Sequence, residues 1–182
     1  MPKTISGHNV IRSSASPWLR KAFLPGRPKI WIRVRRLDMP LFLRLLVLLD
    51  QVIPLTMRNT WSYYYRSPRM GSKRSVSDHA GYAVDGWSDK QGAHTWPSRM
   101  SKAEALEISA ILEKFKTPDG RHIFGWGACR LAPGVIYTGP TYSKRESHDP
   151  MHFYRAPGIT DKDVKACIKR MRINPNGTVK KP

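Results

Sequence analysis

The sequence predicts an α+β domain, with helices packed on a small antiparallel sheet, and three observations carry that expectation. Short β-prone runs at 30–34, 60–65, 122–126 and 151–154 are spaced irregularly among helical patterns, without the strand–helix–strand rhythm of a parallel sheet. Ser101 and Glu104 form a capping box ahead of apolar residues at helical spacing, and Thr160 with Asp163 starts a second such pattern. Residues 41–49 are the most apolar stretch of the chain, as the buried helix of a real core should be.

Taken in order, residues 1–15 are polar and unpatterned and are expected to be a loose tail, followed by one domain over 16–173 and a second tail over 174–182. After the turn signal Leu24-Pro25-Gly26, Ile30, Ile32 and Val34 alternate with Trp31, Arg33 and Arg35, the pattern of a half-buried strand. Asp38 can cap the helix that follows, Pro40 is tolerated in its first turn, and the helix runs to about Val52. Arg44 and Asp50 interrupt its apolar run and Pro54 ends it, so it is too short to cross a bilayer.

The run 60–65 would place Trp61, Tyr63 and Tyr65 on one strand face, with Arg66 at the strand's end. A basic loop covers 67–74, and 76–85 reads as turn and strand around Gly81. The helix opened by Ser101 buries Ala105, Ile108, Ile111, Leu112 and Phe115, and Thr117-Pro118-Asp119-Gly120 stops it. Short strands follow at 122–126, 135–137 and 151–154. In the last, Met151 and Phe153 point one way and His152 and Tyr154 the other. The final helix reaches about Met171.

A chain of 182 residues with six Trp is long enough to bury one core. Its net charge of +19 draws it to polyanions: nucleic acid, an anionic membrane surface, or the phosphate- and carboxylate-rich polymers of a cell wall. Cys129 and Cys167 lack CxxC spacing and are too few for a disulfide framework, which excludes a cysteine zinc finger and leaves their pairing open. The first residues carry no apolar run behind their charges, so no secretory signal is expected and the chain should first reside in a cytoplasm.

Histidine is scarce. His148 and His152 are four apart, but Pro150 between them removes the helix that would put both on one face, which excludes a helical HxxxH zinc site. A lone strand histidine is more often structural than a ligand. His152, however, follows Asp149 closely, and a second histidine, His79, lies in the segment SDHAGYAVDG with Asp85. Two histidines and a carboxylate from separate segments are what a three-ligand catalytic zinc site requires.

These residues resemble the motifs of the zinc D-alanyl-D-alanine carboxypeptidase and L-alanyl-D-glutamate endopeptidase family, the VanY-like peptidases that also serve as bacteriophage endolysins. Ser77, His79, Gly81, Ala83 and Asp85 look like the first motif, and Asp149-Pro150-Met151-His152-Phe153 like the second. Tyr65-Arg66-Ser67 is similar to the family's upstream arginine, and weaker likeness runs through Gly125-Trp126-Gly127.

The resemblance implies a hedgehog/DD-peptidase-like fold. It implies Zn2+ held by His79, Asp85 and His152, with Asp149 as general base, Arg66 as oxyanion stabiliser and substrate contact, and Ser77 hydrogen-bonding the substrate or a ligand. The function implied is hydrolysis of peptidoglycan stem peptides by a monomeric phage lysis enzyme. Such an enzyme waits in the host cytoplasm and is held to anionic wall polymers by its charge, with no specific nucleic acid and no transmembrane segment.

Two departures stand out. The step from His79 to Asp85 is one residue shorter than in the family, which in a regular strand turns Asp85 to the opposite face, so a bend at Gly81 has to restore it; Asp78 and Asp89 are the other carboxylates within reach. Tyr154 stands where relatives commonly have Glu. Two rival readings remain: Trp61, Tyr63, Tyr64 and Tyr65 among basic residues as a stacking platform for single-stranded nucleic acid, or a non-catalytic zinc-containing wall-binding module.

Overall fold

The computed structural model describes residues 4–5, 10–11, 19–52, 65–66, 83–85, 101–128, 137–141, 150 and 152–181. The alternation at 30–34 becomes strand β4 (Arg27–Arg35), in which Ile32 and Val34 are fully buried. β4 pairs antiparallel with β3 (Leu19–Leu24) across the turn at Pro25-Gly26, where Gly26 takes φ 73°, a left-handed value that glycine adopts without a Cβ penalty. The pairing of β3 was not anticipated beyond the turn itself.

Helix α1 (Met39–Val52) buries Met39, Leu41, Phe42, Leu43, Leu45, Leu46, Leu48 and Leu49, nearly all round its axis. At about 1.5–3 kcal/mol for each large side chain fully buried, this packing rather than intrinsic propensity holds the helix. The Asp38 carbonyl accepts the first helical bond, from Phe42 at 3.1 Å, so Asp38 occupies the expected cap position. Its carboxylate is taken up elsewhere, as described below.

Helix α2 (Lys102–Leu112) opens with both bonds of the expected capping box: Glu104 N–H to Ser101 Oγ at 3.1 Å and Ser101 N–H to the Glu104 carboxylate at 2.8 Å. It buries Ala105, Ile108, Ile111 and Leu112, with Phe115 just beyond its end. Thr117 N–H to Arg121 C=O at 2.8 Å closes the predicted stop, and Gly120 at φ 88° turns the chain back. The returning chain forms β7 (Phe124–Trp126), in which Phe124 packs against Phe42 of α1 at 4.9 Å and Phe115 at 5.0 Å between ring centroids. Helix α3 (Asp161–Arg170) starts at Thr160 with reciprocal bonds to Asp163.

The architecture is α+β. Among the described residues there are three helices and three small sheets: β3–β4; β1 (Thr4–Ile5), β2 (Val10–Ile11) and β5 (Tyr65–Arg66) in the order β1-β2-β5; and β6 (Ala83–Asp85), β8 (His152–Arg155) and β7 in the order β6-β8-β7. All named strand pairs are antiparallel. No helix among them is long and apolar enough to cross a membrane.

Both terminal segments contain paired backbone. In residues 1–15, Thr4–Ile5 pairs with Val10–Ile11, which pairs in turn with Tyr65–Arg66. The pairs Thr4-Ile5 and Val10-Ile11 are β-branched, as strand positions favour, within an otherwise polar segment. Within 174–182, Asn174 N–H bonds Thr178 C=O at 2.7 Å, Lys180 N–H bonds Arg172 C=O at 2.9 Å, and Ile173 bridges Val179. This hairpin docks on α1.

Gly177, at φ 81°, leaves room for Leu43 and Arg44: a Cβ built there would lie 2.5 Å from Leu43 Cβ and 2.8 Å from the Arg44 amide nitrogen. Gly177→Ala should therefore destabilise the fold by about 1–3 kcal/mol, combining left-handed strain with overpacking against helix backbone. Denaturant titration of the variant checks this. An unchanged midpoint would mean that the hairpin does not dock on α1.

Candidate functional site

Sheet β6-β8-β7 carries the site. Its register sets Val84 opposite Phe153 and Trp126 opposite Phe153 on the other side, and all three are fully buried against the core. Because side chains alternate, the opposite face holds positions 83 and 85 of β6, His152 and Tyr154 of β8, and Gly125 of β7. Ala83 pairs with Tyr154, and Asp85 pairs directly with His152. Directly opposed positions have Cβ atoms about 4.5–5.5 Å apart.

His152 is 2% exposed. Its carbonyl accepts from Gly127 N–H at 2.8 Å, which fixes the backbone at the start of β8. Its ring stacks on Tyr154, with centroids 5.4 Å apart and planes 29° apart. Tyr154 in turn lies across Gly125: a Cβ at that position would fall 2.3 Å from Tyr154 Cε2 and Cζ. The glycine at the centre of β7 is thus the space that the tyrosine ring fills.

The approach to β8 is anchored from the core. Trp126, fully buried, donates its indole N–H to the Pro150 carbonyl at 2.6 Å, so the residue that follows Asp149 is tied to the end of β7. At the far end, Arg155 reaches under β8. It donates to Asp38 at 3.2 Å, to Asp161 at 2.8 Å and to the Ile159 carbonyl at 2.9 and 2.7 Å, joining the site strand to the starts of α1 and α3. Asp38 is 2% exposed, and burial pushes its carboxyl up to about 6 despite the neighbouring Arg155 and Arg35 guanidinium groups.

Beside β7, Tyr137 donates to the Phe124 carbonyl at 2.6 Å and meets His122 edge-on at 5.2 Å. His122 Nε2 lies 2.6 Å from Glu113, which also pairs with Lys116. Burial opposes ionisation of Glu113, but the bonds from Lys116 and His122 hold its carboxyl below the usual range. Every ionisable member of this group has a local partner, as structural polar groups at the rim of a core do.

Of the residues expected at the site, the strand pairing brings positions 85 and 152 together. Arg66 lies in β5, in the separate sheet β1-β2-β5. Ser77, Asp78, His79, Asp89 and Asp149 lie outside the described residues, and Asp85 is described by its backbone. Among the described side chains no three His, Cys, Asp or Glu converge as a metal site. Cys167 is a free, buried thiol; Cys129 lies outside the described residues. The sequence gives Tyr154 no role and Gly125 only a place in a weak family likeness, although a glycine inside a short apolar strand signals that something approaches its backbone closely.

Comparison of the chain with protein-family models, with curated proteins and with solved structures finds no match.

Proposed function

We propose that this chain is a zinc-dependent peptidase of hedgehog/DD-peptidase-like fold that hydrolyses peptide bonds in the stem peptides of bacterial peptidoglycan, acting as a phage lysis enzyme. The observation that carries the reading is the cross-strand pair of Asp85 and His152. The shortened first motif put the facing of Asp85 at issue, and a shared face with a buried histidine supports its place in the ligand set. An imidazole and a carboxylate at neighbouring register positions are a donor pair of the kind zinc takes, and His79 would complete three protein ligands. Held by these residues, zinc would supply Lewis acidity, which lowers the pKa of a water to roughly 7.

The chain's own groups do the rest. Asp149, three residues before His152, takes the proton of the attacking water and returns it to the leaving amine. Arg66 donates to the oxyanion that develops on the scissile carbonyl, an effect of about 3 kcal/mol for one well-placed donor. Ser77 hydrogen-bonds the substrate. The +19 charge holds the enzyme to anionic wall polymers, and this attraction weakens as salt rises.

A zymogram on purified peptidoglycan, with and without chelator, tests the proposal. Clearing that chelator abolishes and added zinc restores is the expected result. Clearing indifferent to chelator, or none from zinc-loaded protein, sinks it, and tight binding of single-stranded DNA by zinc-free protein would install the nucleic-acid reading instead.

A further inference from the structure

We infer that Tyr154 is a positioning residue for His152, and that Gly125 exists to seat it; the inference rests on the zinc reading above. Three observations converge on it. The two rings are stacked at 5.4 Å and 29°, a contact between residues two apart on one strand face. Tyr154 is 6% exposed, so its ring is a fixed wall rather than a mobile surface group. Behind the ring lies Gly125, its cross-strand partner, where any Cβ would overlap the phenol.

An imidazole on a strand turns about two side-chain bonds, and a ligand histidine has to be held in one orientation before metal arrives. Ligand histidines are ordinarily oriented by a hydrogen bond to the second ring nitrogen. Beside any such bond, a flat aromatic surface, itself clamped between a glycine backbone and the imidazole, restricts rotation by contact. The phenol ring does this, not its hydroxyl, and that distinction makes the idea testable. It also gives Tyr154, at a position where the resembling family commonly has Glu, a role of its own.

The test is zinc affinity, measured by competition with a chromophoric chelator, together with the visible d–d spectrum of the cobalt-substituted protein. Both read the ligand set directly, without reference to hydrolysis. Tyr154→Phe should bind zinc within about twofold of the unmodified protein and keep its cobalt spectrum. Tyr154→Leu, which keeps bulk but loses the flat ring, should bind about 10–100-fold more weakly, the usual loss when a residue that orients a ligand is removed. Its cobalt spectrum should shift.

Tyr154→Met repeats the measurement with an unbranched chain should the leucine variant not fold, as judged by thermal melting. Equal zinc affinity in Tyr154→Phe and in the folded ring-less variant overturns the positioning role while leaving the zinc reading intact. Absence of zinc binding by the unmodified protein overturns the zinc reading itself, and this inference with it. A loss as large in Tyr154→Phe as in Tyr154→Leu transfers the role to the hydroxyl and overturns the stacking argument.

Discussion

His152→Ala is expected to abolish both zinc binding and hydrolysis, whereas Asp149→Ala should retain zinc and lose about 10²–10⁴-fold in turnover, the usual contribution of a positioned general base. The contrast follows from where the two residues stand. His152 is buried on the face that position 85 shares and is shielded from bulk water. Asp149 precedes Pro150 in sequence, and the Pro150 carbonyl accepts from the Trp126 indole. Zinc content by atomic emission and turnover on a soluble stem peptide separate the roles. Equal zinc loss in the two variants would make Asp149 a ligand and put the base elsewhere. Full zinc content in His152→Ala would remove His152 from the ligand set.

The local elements of this fold were legible because their determinants are local. The capping boxes at Ser101 and Thr160, the stop at Gly120 and the facing of His152 and Tyr154 each depend on residues within one turn or one strand. Asp85 shows what counting along the chain leaves open. The count from His79 gives no partner for it, whereas the pairing of β6 with β8 sets Asp85 opposite His152. Register is imposed by the partner strand, and a count through an intervening glycine cannot supply it.

What was not legible is long-range. The Trp126 bond to Pro150 spans 24 residues and that of Arg155 to Asp38 spans 117, and no periodicity encodes either. The C-terminal hairpin was hidden for the same reason. Its residues 174–178 are polar and turn-forming, and it is the burial of Ile173 and the close approach of Gly177 to Leu43 that make them part of the packed structure.

The Asp38–Arg155 pair supplies the second prediction. Arg155→Met should destabilise the protein by about 3–5 kcal/mol at pH 8, because it leaves a carboxylate buried beside only the more distant Arg35 guanidinium, 3.7 Å away. For a chain of this size that is on the order of 10 °C in melting temperature. The loss should be smaller at pH 5. Burial raises the folded-state pKa of Asp38 from 3.8 to about 6, so between those values the folded protein holds a proton that the unfolded chain releases, and stability falls as pH rises through the window. Removing Arg155 raises that pKa further, and acid then relieves the buried charge by protonating it.

Asp38→Asn removes the titration. Relative to it, the unmodified protein should lose about 2 kcal/mol between pH 4 and pH 6 as the Asp38 carboxyl gives up its proton in the folded state. The carboxyl of Asp161, held down to about 2 by hydrogen bonds from Arg35 and Arg155, titrates below this window and leaves it clear. Denaturant titrations of the two single variants and the double variant at both pH values decide the matter. If Arg155→Met costs the same at pH 5 and pH 8, or if adding Asp38→Asn restores nothing, the loss comes from the bonds to Asp161 and to the Ile159 carbonyl and from packing. Recovery in the double variant would place it in the buried charge that links the site strand to α1.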